Sequence, residues 1–118
     1  MPTAKIFISK EIETEKLERI SSSISGILSS VLNKSEEYIM TIFPKTEYQS
    51  FAKDSFNLSV YIEIKNVGEL IPDITSILSS KITGTICEIT NVVASRVYIE
   101  FQQSERHMWG WNGKTFHS

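Results

Sequence analysis

Apolar residues recur along the chain with two alternating periods, near two and near 3.6, which predicts strands and helices in turn. Lys5–Ser9 reads as a strand, with Phe7 opposite its isoleucine neighbours. Thr14 stands as an N-cap. Leu17, Ile20, Ile24, Ile27, Leu28, Val31 and Leu32 then follow at helical spacing, with Glu11, Glu13 and Glu15 near the positive end of the helix dipole. Asn33 suits a left-handed stop. Glu37–Pro44 is the second predicted strand, Tyr48–Ser55 is polar and irregular, and Phe56–Lys65 is the third strand. Val67–Gly68 makes a turn into a helix from Glu69 to Ile89, with Pro72 in its first turn. Ile71, Ile74, Leu78, Ile82 and Ile89 mark its inner face, and Gly84 invites close packing there. Arg96–Gln102 is the fourth strand, followed by an aromatic tail, Met108–Phe116.

The order is strand–helix–strand, twice. Tyr38-Ile39 and Tyr98-Ile99 open the last strand of each half, sixty residues apart by subtraction, which marks a weak internal repeat. The expected architecture is α+β: two βαβ repeats forming a four-stranded mixed sheet with two helices on one face. One domain spans residues 1–118. The second sheet face would then lie bare around Phe7 and Tyr61. An apolar face of that kind is expected to be covered by other copies of the chain.

Composition narrows the function. Hydrophobic residues make up 41% and charged residues 22% of 118 positions, as in an ordinary globular protein. A net charge of -2 gives no field that favours nucleic acid or an anionic membrane, so neither is expected as a partner. The first residues carry charge every few positions, no apolar run is long enough for a signal peptide or a membrane span, and the expected location is cytoplasmic. Cys87 is the single cysteine and reads as a small buried hydrophobe on a helix. GxGxxG, P-loop, HExxH and GxSxG motifs are absent. His107 and His117 read as surface histidines, with no acidic pair at a metal-binding spacing.

Five features carry candidate chemistry, each with an ordinary structural explanation beside it. Pro2 follows Met1; a proline there is common, but methionine removal would expose a secondary amine. Such an amine, held in an apolar pocket near cations, loses proton affinity and can act as a base near neutral pH. Lys34 follows the first helix, where it could simply complement the dipole. Val67–Gly68 reverses the chain. Tyr98 and Glu100 alternate on the last strand. Trp109, Trp111 and Phe116 lie within eight residues, and such rings either pack or wall a pocket.

Together these residues resemble the macrophage migration inhibitory factor family of the tautomerase superfamily. Met1-Pro2, Asn33-Lys34, Glu37-Tyr38-Ile39-Met40, Lys65-Asn66-Val67-Gly68, Arg96-Val97-Tyr98-Ile99-Glu100-Phe101 and Trp109 through Phe116 carry the match in order over the full length. The resemblance implies a homotrimer whose sheets line a central channel and whose active sites lie between subunits. It implies keto–enol tautomerisation of phenylpyruvate-like α-keto acids, and of dopachrome in animal members, without metal or organic cofactor. By the same resemblance Pro2 is the catalytic general acid–base. Lys34 and the Val67 amide bind the carboxylate or developing enolate, and Tyr98 of the neighbouring subunit lines the pocket. Trp109 and Phe116 form its aromatic wall. Glu100 stands where many members have asparagine; it can accept a phenolic hydrogen bond but repels anions. Ser59 and Ile62 replace the animal CxxC, and Phe51-Ala52-Lys53-Asp54 replaces a Phe-Gly-Gly loop. Arg106 and His107 add positive charge near the mouth. The alternative is a cytokine-like signalling or binding protein with a vestigial site.

Overall fold

The computed structural model describes residues 1–117. Strand β1 (Thr3–Ile8) buries Ala4, Ile6 and Ile8 on one side and leaves Thr3, Lys5 and Phe7 on the other. It pairs in parallel with β2 (Met40–Ile42) and antiparallel with β3 (Val60–Val67), which pairs in parallel with β4 (Val97–Ser104). The sheet order is β2-β1-β3-β4, a mixed sheet made of two βαβ halves. Helices α1 (Thr14–Leu32) and α2 (Pro72–Thr90) cover the face that carries Ile6, Ile62 and Ile64. Each parallel pair needs a crossover helix, and the two crossovers fall on the same side.

The core is almost entirely aliphatic. Ile20, Ile24 and Leu28 of α1 meet Leu78, Ile82 and Ile86 of α2 over β1 and β3, all with no exposed surface. Truncating any of them to alanine removes transfer energy and leaves a void, roughly 2–5 kcal/mol.

Several boundaries differ from the sequence reading. Thr14 is not the N-cap of α1; Glu13 is, in an extended conformation, and its side chain caps nothing. Its carbonyl instead takes the amides of Lys16 and Leu17. The second strand contracts to three residues because Glu36–Tyr38 coil into a 3₁₀ turn first, so Tyr38 precedes its strand whereas Tyr98 lies within β4. The third strand starts later than Phe56 and runs on through Val67. Ile71 caps α2 at 46% exposure and does not belong to the inner face, which Ile86 completes. Gly84 touches no other element, so a methyl group there would meet open space. Cys87 is half-buried against the core.

The uncovered sheet face is less apolar than expected. Register puts Phe7, Tyr61 and Tyr98 in one row, but Lys5, Glu63 and Glu100 form the next, and Thr3, Lys65 and Gln102 the one beyond. Among the strand residues of this face, the aromatic row lies at one end, where Phe7 stacks on Tyr61 at 5.8 Å.

The tail, read only as aromatic, folds into a small hairpin of β5 (Gly110–Trp111) and β6 (Lys114–Thr115). Asn112 (φ 53°) and Gly113 (φ 78°) form its corner, the dipeptide that a two-residue primed turn demands.

Candidate active site

The end of the sheet where β1 and β2 begin is also where β3 and β4 finish. Pro2 sits there fully buried, and its carbonyl accepts the Met40 amide at 3.3 Å. Helix α1 ends beside it. Asn33 takes the left-handed conformation (φ 55°) expected of it, and the Lys34 amide reaches back to the Ser29 carbonyl at 3.1 Å. The Ser29 hydroxyl donates to the Lys34 carbonyl at 2.6 Å. Both backbone polar groups of Lys34 are thus fixed, and its side chain leaves the helix in one direction.

That direction is toward β3. Lys34 Nζ donates to the Val67 carbonyl oxygen at 3.2 Å. This contact uses the Val67 carbonyl, and the substrate role that the sequence reading gave the Val67 amide is a separate one. Gly68 follows with φ 115°, a conformation that a side chain would strain, and its amide closes onto the Ser104 carbonyl at 3.1 Å.

The N-terminal amine of Met1 shares this environment. Its pKa falls from 8.0 to about 6, first because burial strips water from the charged form and second because the Lys34 charge repels a proton there. An amine at this point of the fold is therefore poised between acid and base near neutrality.

The rings of the tail pack on one another and on Tyr38. Phe116 stacks on Trp111 with centroids 6.1 Å apart and planes 8° from parallel, and Tyr38 meets Trp111 edge-on at 5.4 Å. Arg106 Nε fixes Phe116 through its carbonyl at 2.9 Å. Trp109 lines, together with Thr3, Lys5, Ile42, Glu63 and Lys65, a hollow of about 170 Å³. Tyr38 is the member of this stack that the sequence reading gave no site role, and Trp111 is one it named only among the rings of the tail. Tyr38 is only four residues past Lys34, and Trp111 stands one hairpin away from Phe116.

Tyr98 and Glu100 are not brought to Pro2. Tyr98 aligns with Tyr61 and Phe7, five residues along β1 from Pro2, or about 17 Å. It is 64% exposed, and its ring meets that of Phe51 at 4.7 Å. An open aromatic groove of about 650 Å³, lined by Phe7, Tyr48, Phe51, Tyr61 and Tyr98, occupies that end. This aromatic concavity lies away from Lys34 and the amine. Glu100 accepts a hydrogen bond from Tyr61 at 3.0 Å, and Glu63 faces the same hydroxyl at 3.1 Å. Desolvation, then the Glu100 and Glu63 contacts, push the Tyr61 phenol up to about 12.

Both histidines are exposed. Arg106, His107 and His117 line a shallow polar hollow that also holds Glu69 and Glu105, so the positive charge expected at the mouth is balanced by carboxylates. His107 Nδ1 lies 3.2 Å from Glu105. Among the described residues no helix is long and apolar enough to cross a membrane.

Comparison with solved structures gives the fold its relatives. A macrophage migration inhibitory factor homologue of Prochlorococcus marinus is 28% identical, with a TM-score of 0.87, over 97% of this chain and 98% of that one. The MIF2 protein of Leishmania major is 24% identical, with a TM-score of 0.88, over 98% of this chain and 97% of that one. A native fused 4-OT is 10% identical and still superposes with a TM-score of 0.87, over 98% and 96% of the two chains. No family model and no curated protein matches the sequence. The chain has the fold shared by macrophage migration inhibitory factor homologues and the wider tautomerase superfamily.

Proposed function

We propose that this protein, a member of the macrophage migration inhibitory factor family by its fold, is a keto–enol tautomerase of phenylpyruvate-like α-keto acids, with the Pro2 amine as general acid–base. The observation that carries the reading is the environment of the Met1 amine, where burial and the Lys34 charge lower its pKa to about 6, one residue from the nitrogen that Met1 removal would free. With Met1 attached, the Pro2 nitrogen is a tertiary amide and takes no proton. Once Met1 is removed, a secondary amine stands one residue further in, next to Lys34 and the end of β3.

The chemistry follows from those groups. The neutral Pro2 amine removes a proton from the carbon beside the ketone. Negative charge moves onto the carbonyl oxygen, where the Lys34 ammonium stabilises it; such a contribution is worth roughly 3–4 kcal/mol in a water-poor site. The protonated amine then returns the proton to oxygen, and the enol leaves. Phe116, Trp111 and Tyr38 offer an aryl side chain a wall, and Trp109 closes the sheet side.

Tyr98 and Glu100 enter this scheme from a neighbouring copy. One protomer carries the amine, Lys34 and the aromatic wall at one end, and exposed Tyr98 at the other. A homotrimer that sets one end against the other completes each site between subunits. Glu100 disfavours anionic rings there, which tilts preference from dopachrome-like compounds toward neutral aryl groups. A signalling role has no comparable observation behind it.

The test is tautomerisation of phenylpyruvate and hydroxyphenylpyruvate by protein with a mass-verified free Pro2, against a Pro2→Gly variant. Clear loss in the variant supports the reading; equal rates sink it.

A further inference from the structure

The segment between β2 and β3 holds two consecutive non-glycine residues in the left-handed region, Ala52 (φ 55°) and Lys53 (φ 63°). They form the corner of a miniature hairpin. The Phe51 amide donates to the Asp54 carbonyl at 3.1 Å, and the Asp54 amide donates back at 3.0 Å. Such a corner calls for Asn-Gly or Gly-Gly, because a Cβ crowds the following carbonyl oxygen. Strain of this kind persists only when surrounding structure holds it.

Arg96 is that surrounding structure. Its Nε donates to the Leu58 carbonyl at 2.9 Å and its Nη1 to Phe51 at 3.1 Å. Its Nη2 reaches the Asp54 carbonyl at 2.9 Å and the Asn57 carbonyl at 3.0 Å. The guanidinium also lies 5.4 Å from the Phe51 ring centroid and 3.7 Å from the Asp54 carboxylate. Asp54 is tied in turn to the amides of Phe56 and Asn57 and to the Asn57 side chain. Nearly every donor of one guanidinium is spent on one short loop.

What the clamp delivers is the Phe51 ring, 4.7 Å from the Tyr98 ring and tilted by 53°. Phe51 is the one aromatic partner of Tyr98 among the described residues. Arg96 itself lies two residues before Tyr98 in the chain, so it fixes both the root of that strand and the ring against which Tyr98 leans.

The geometry points to Arg96 as a positioning residue for Tyr98. By holding the strained Phe51–Asp54 corner closed, it seats Phe51 against Tyr98 and fixes the orientation in which Tyr98 projects from the sheet. This rests on the reading of Tyr98 as a pocket residue of the neighbouring subunit's site. Tyr98 would there contact the substrate's aryl group and not the migrating proton. The clamp therefore governs aryl binding and leaves the chemical step alone.

The experiment compares wild type with Arg96→Met, using phenylpyruvate and 2-oxobutyrate, together with the NMR ring resonances of Tyr98. Arg96→Met is expected to raise KM for phenylpyruvate about tenfold, the equivalent of roughly 1.4 kcal/mol, with kcat nearly unchanged. Kinetics on 2-oxobutyrate should be unaffected, and the Tyr98 resonances should lose the shift that Phe51 imposes. Adding Ala52→Gly and Lys53→Gly relaxes the corner and should restore both properties. Phe51→Leu, which leaves Arg96 in place, should reproduce the KM and resonance changes. Unmoved Tyr98 resonances in Arg96→Met or Phe51→Leu would overturn the proposal. So would a loss carried by kcat on both substrates alike. If wild type tautomerises neither substrate, the functional reading fails, and the resonances still decide the clamp.

Discussion

Lys34 reaches across from the end of α1 to the end of β3, where its ammonium donates to the Val67 carbonyl at 3.2 Å. One of three N–H donors is thereby used to aim the group, and among the described residues two remain for a ligand oxygen. Lys34→Gln keeps much of the length and removes the charge. Its kcat/KM for phenylpyruvate should fall roughly 10²–10³-fold, as when one donor to a developing oxyanion is deleted. The acidic limb of the rate profile should also move upward in pH, because the Lys34 charge lowers the pKa of an amine at this end of the fold.

The depressed amine also leaves a mark on stability. In protein that retains Met1, the folded amine titrates near 6 and the unfolded one near 8.0. Between those values the unfolded chain binds more protons than the folded one, so stability rises with pH across that window. Above it the amine is neutral in both states and the slope vanishes. Urea midpoints measured from about pH 6 to 8 should climb in this form and lose that component after N-terminal acetylation. A flat profile in both forms would mean that the amine is not desolvated.

Trp111 is half-exposed, so its removal should cost little stability while opening the ring stack against Phe116. Trp111→Ala is expected to raise KM for phenylpyruvate by about tenfold through lost aryl contact and to shift Tm only slightly. Titrating substrate into both forms by calorimetry gives the same comparison. Trp109→Ala, which leaves the Trp111–Phe116 stack intact, should have the smaller effect on an aryl substrate.

On the open sheet face Tyr61 faces two carboxylates with a single hydroxyl proton. Ultraviolet titration should find its phenol near 12. Glu100→Gln removes one of the contacts that raise it, after desolvation the largest, and should bring the phenol part of the way back toward 10. No change would show that Glu100 points elsewhere in solution.

Much of this fold was legible in the sequence because its core is made of aliphatic residues at clean spacing. Ile20, Ile24 and Leu28 follow the helical period, and Ile6 and Ile8 alternate with Phe7 along a strand. Asn33 and Pro72 announced a helix end and a helix start through their own backbone preferences. What failed was set by contacts between distant segments. The shortening of the second strand depends on a 3₁₀ turn fastened by Ser35, whose hydroxyl accepts the Glu37 amide at 3.3 Å. The non-glycine corner at Ala52–Lys53 exists because Arg96, more than forty residues on, supplies the bonds that hold it. Neither has a periodic signature.

The candidate site was legible in part for the same reason. Pro2, Lys34 and Val67 converge because each sits at the end of an element whose position the pattern gave. The stacking of Trp111 on Phe116 depends on the hairpin at Asn112–Gly113, which no periodicity announces. Tyr98 lies at the opposite end of the sheet, and no reading of one chain's periodicity brings it to Pro2.

The central claim is that Pro2 works only as a free amine. The direct measurement compares phenylpyruvate tautomerisation by two mass-resolved preparations of the same chain, one without Met1 and one that retains it through inhibition of methionine removal. The account predicts activity in the Met1-free protein and a rate at least about 10²-fold lower in the Met1-bearing form, the scale of losing a general base. Equal activity in the two preparations would contradict it.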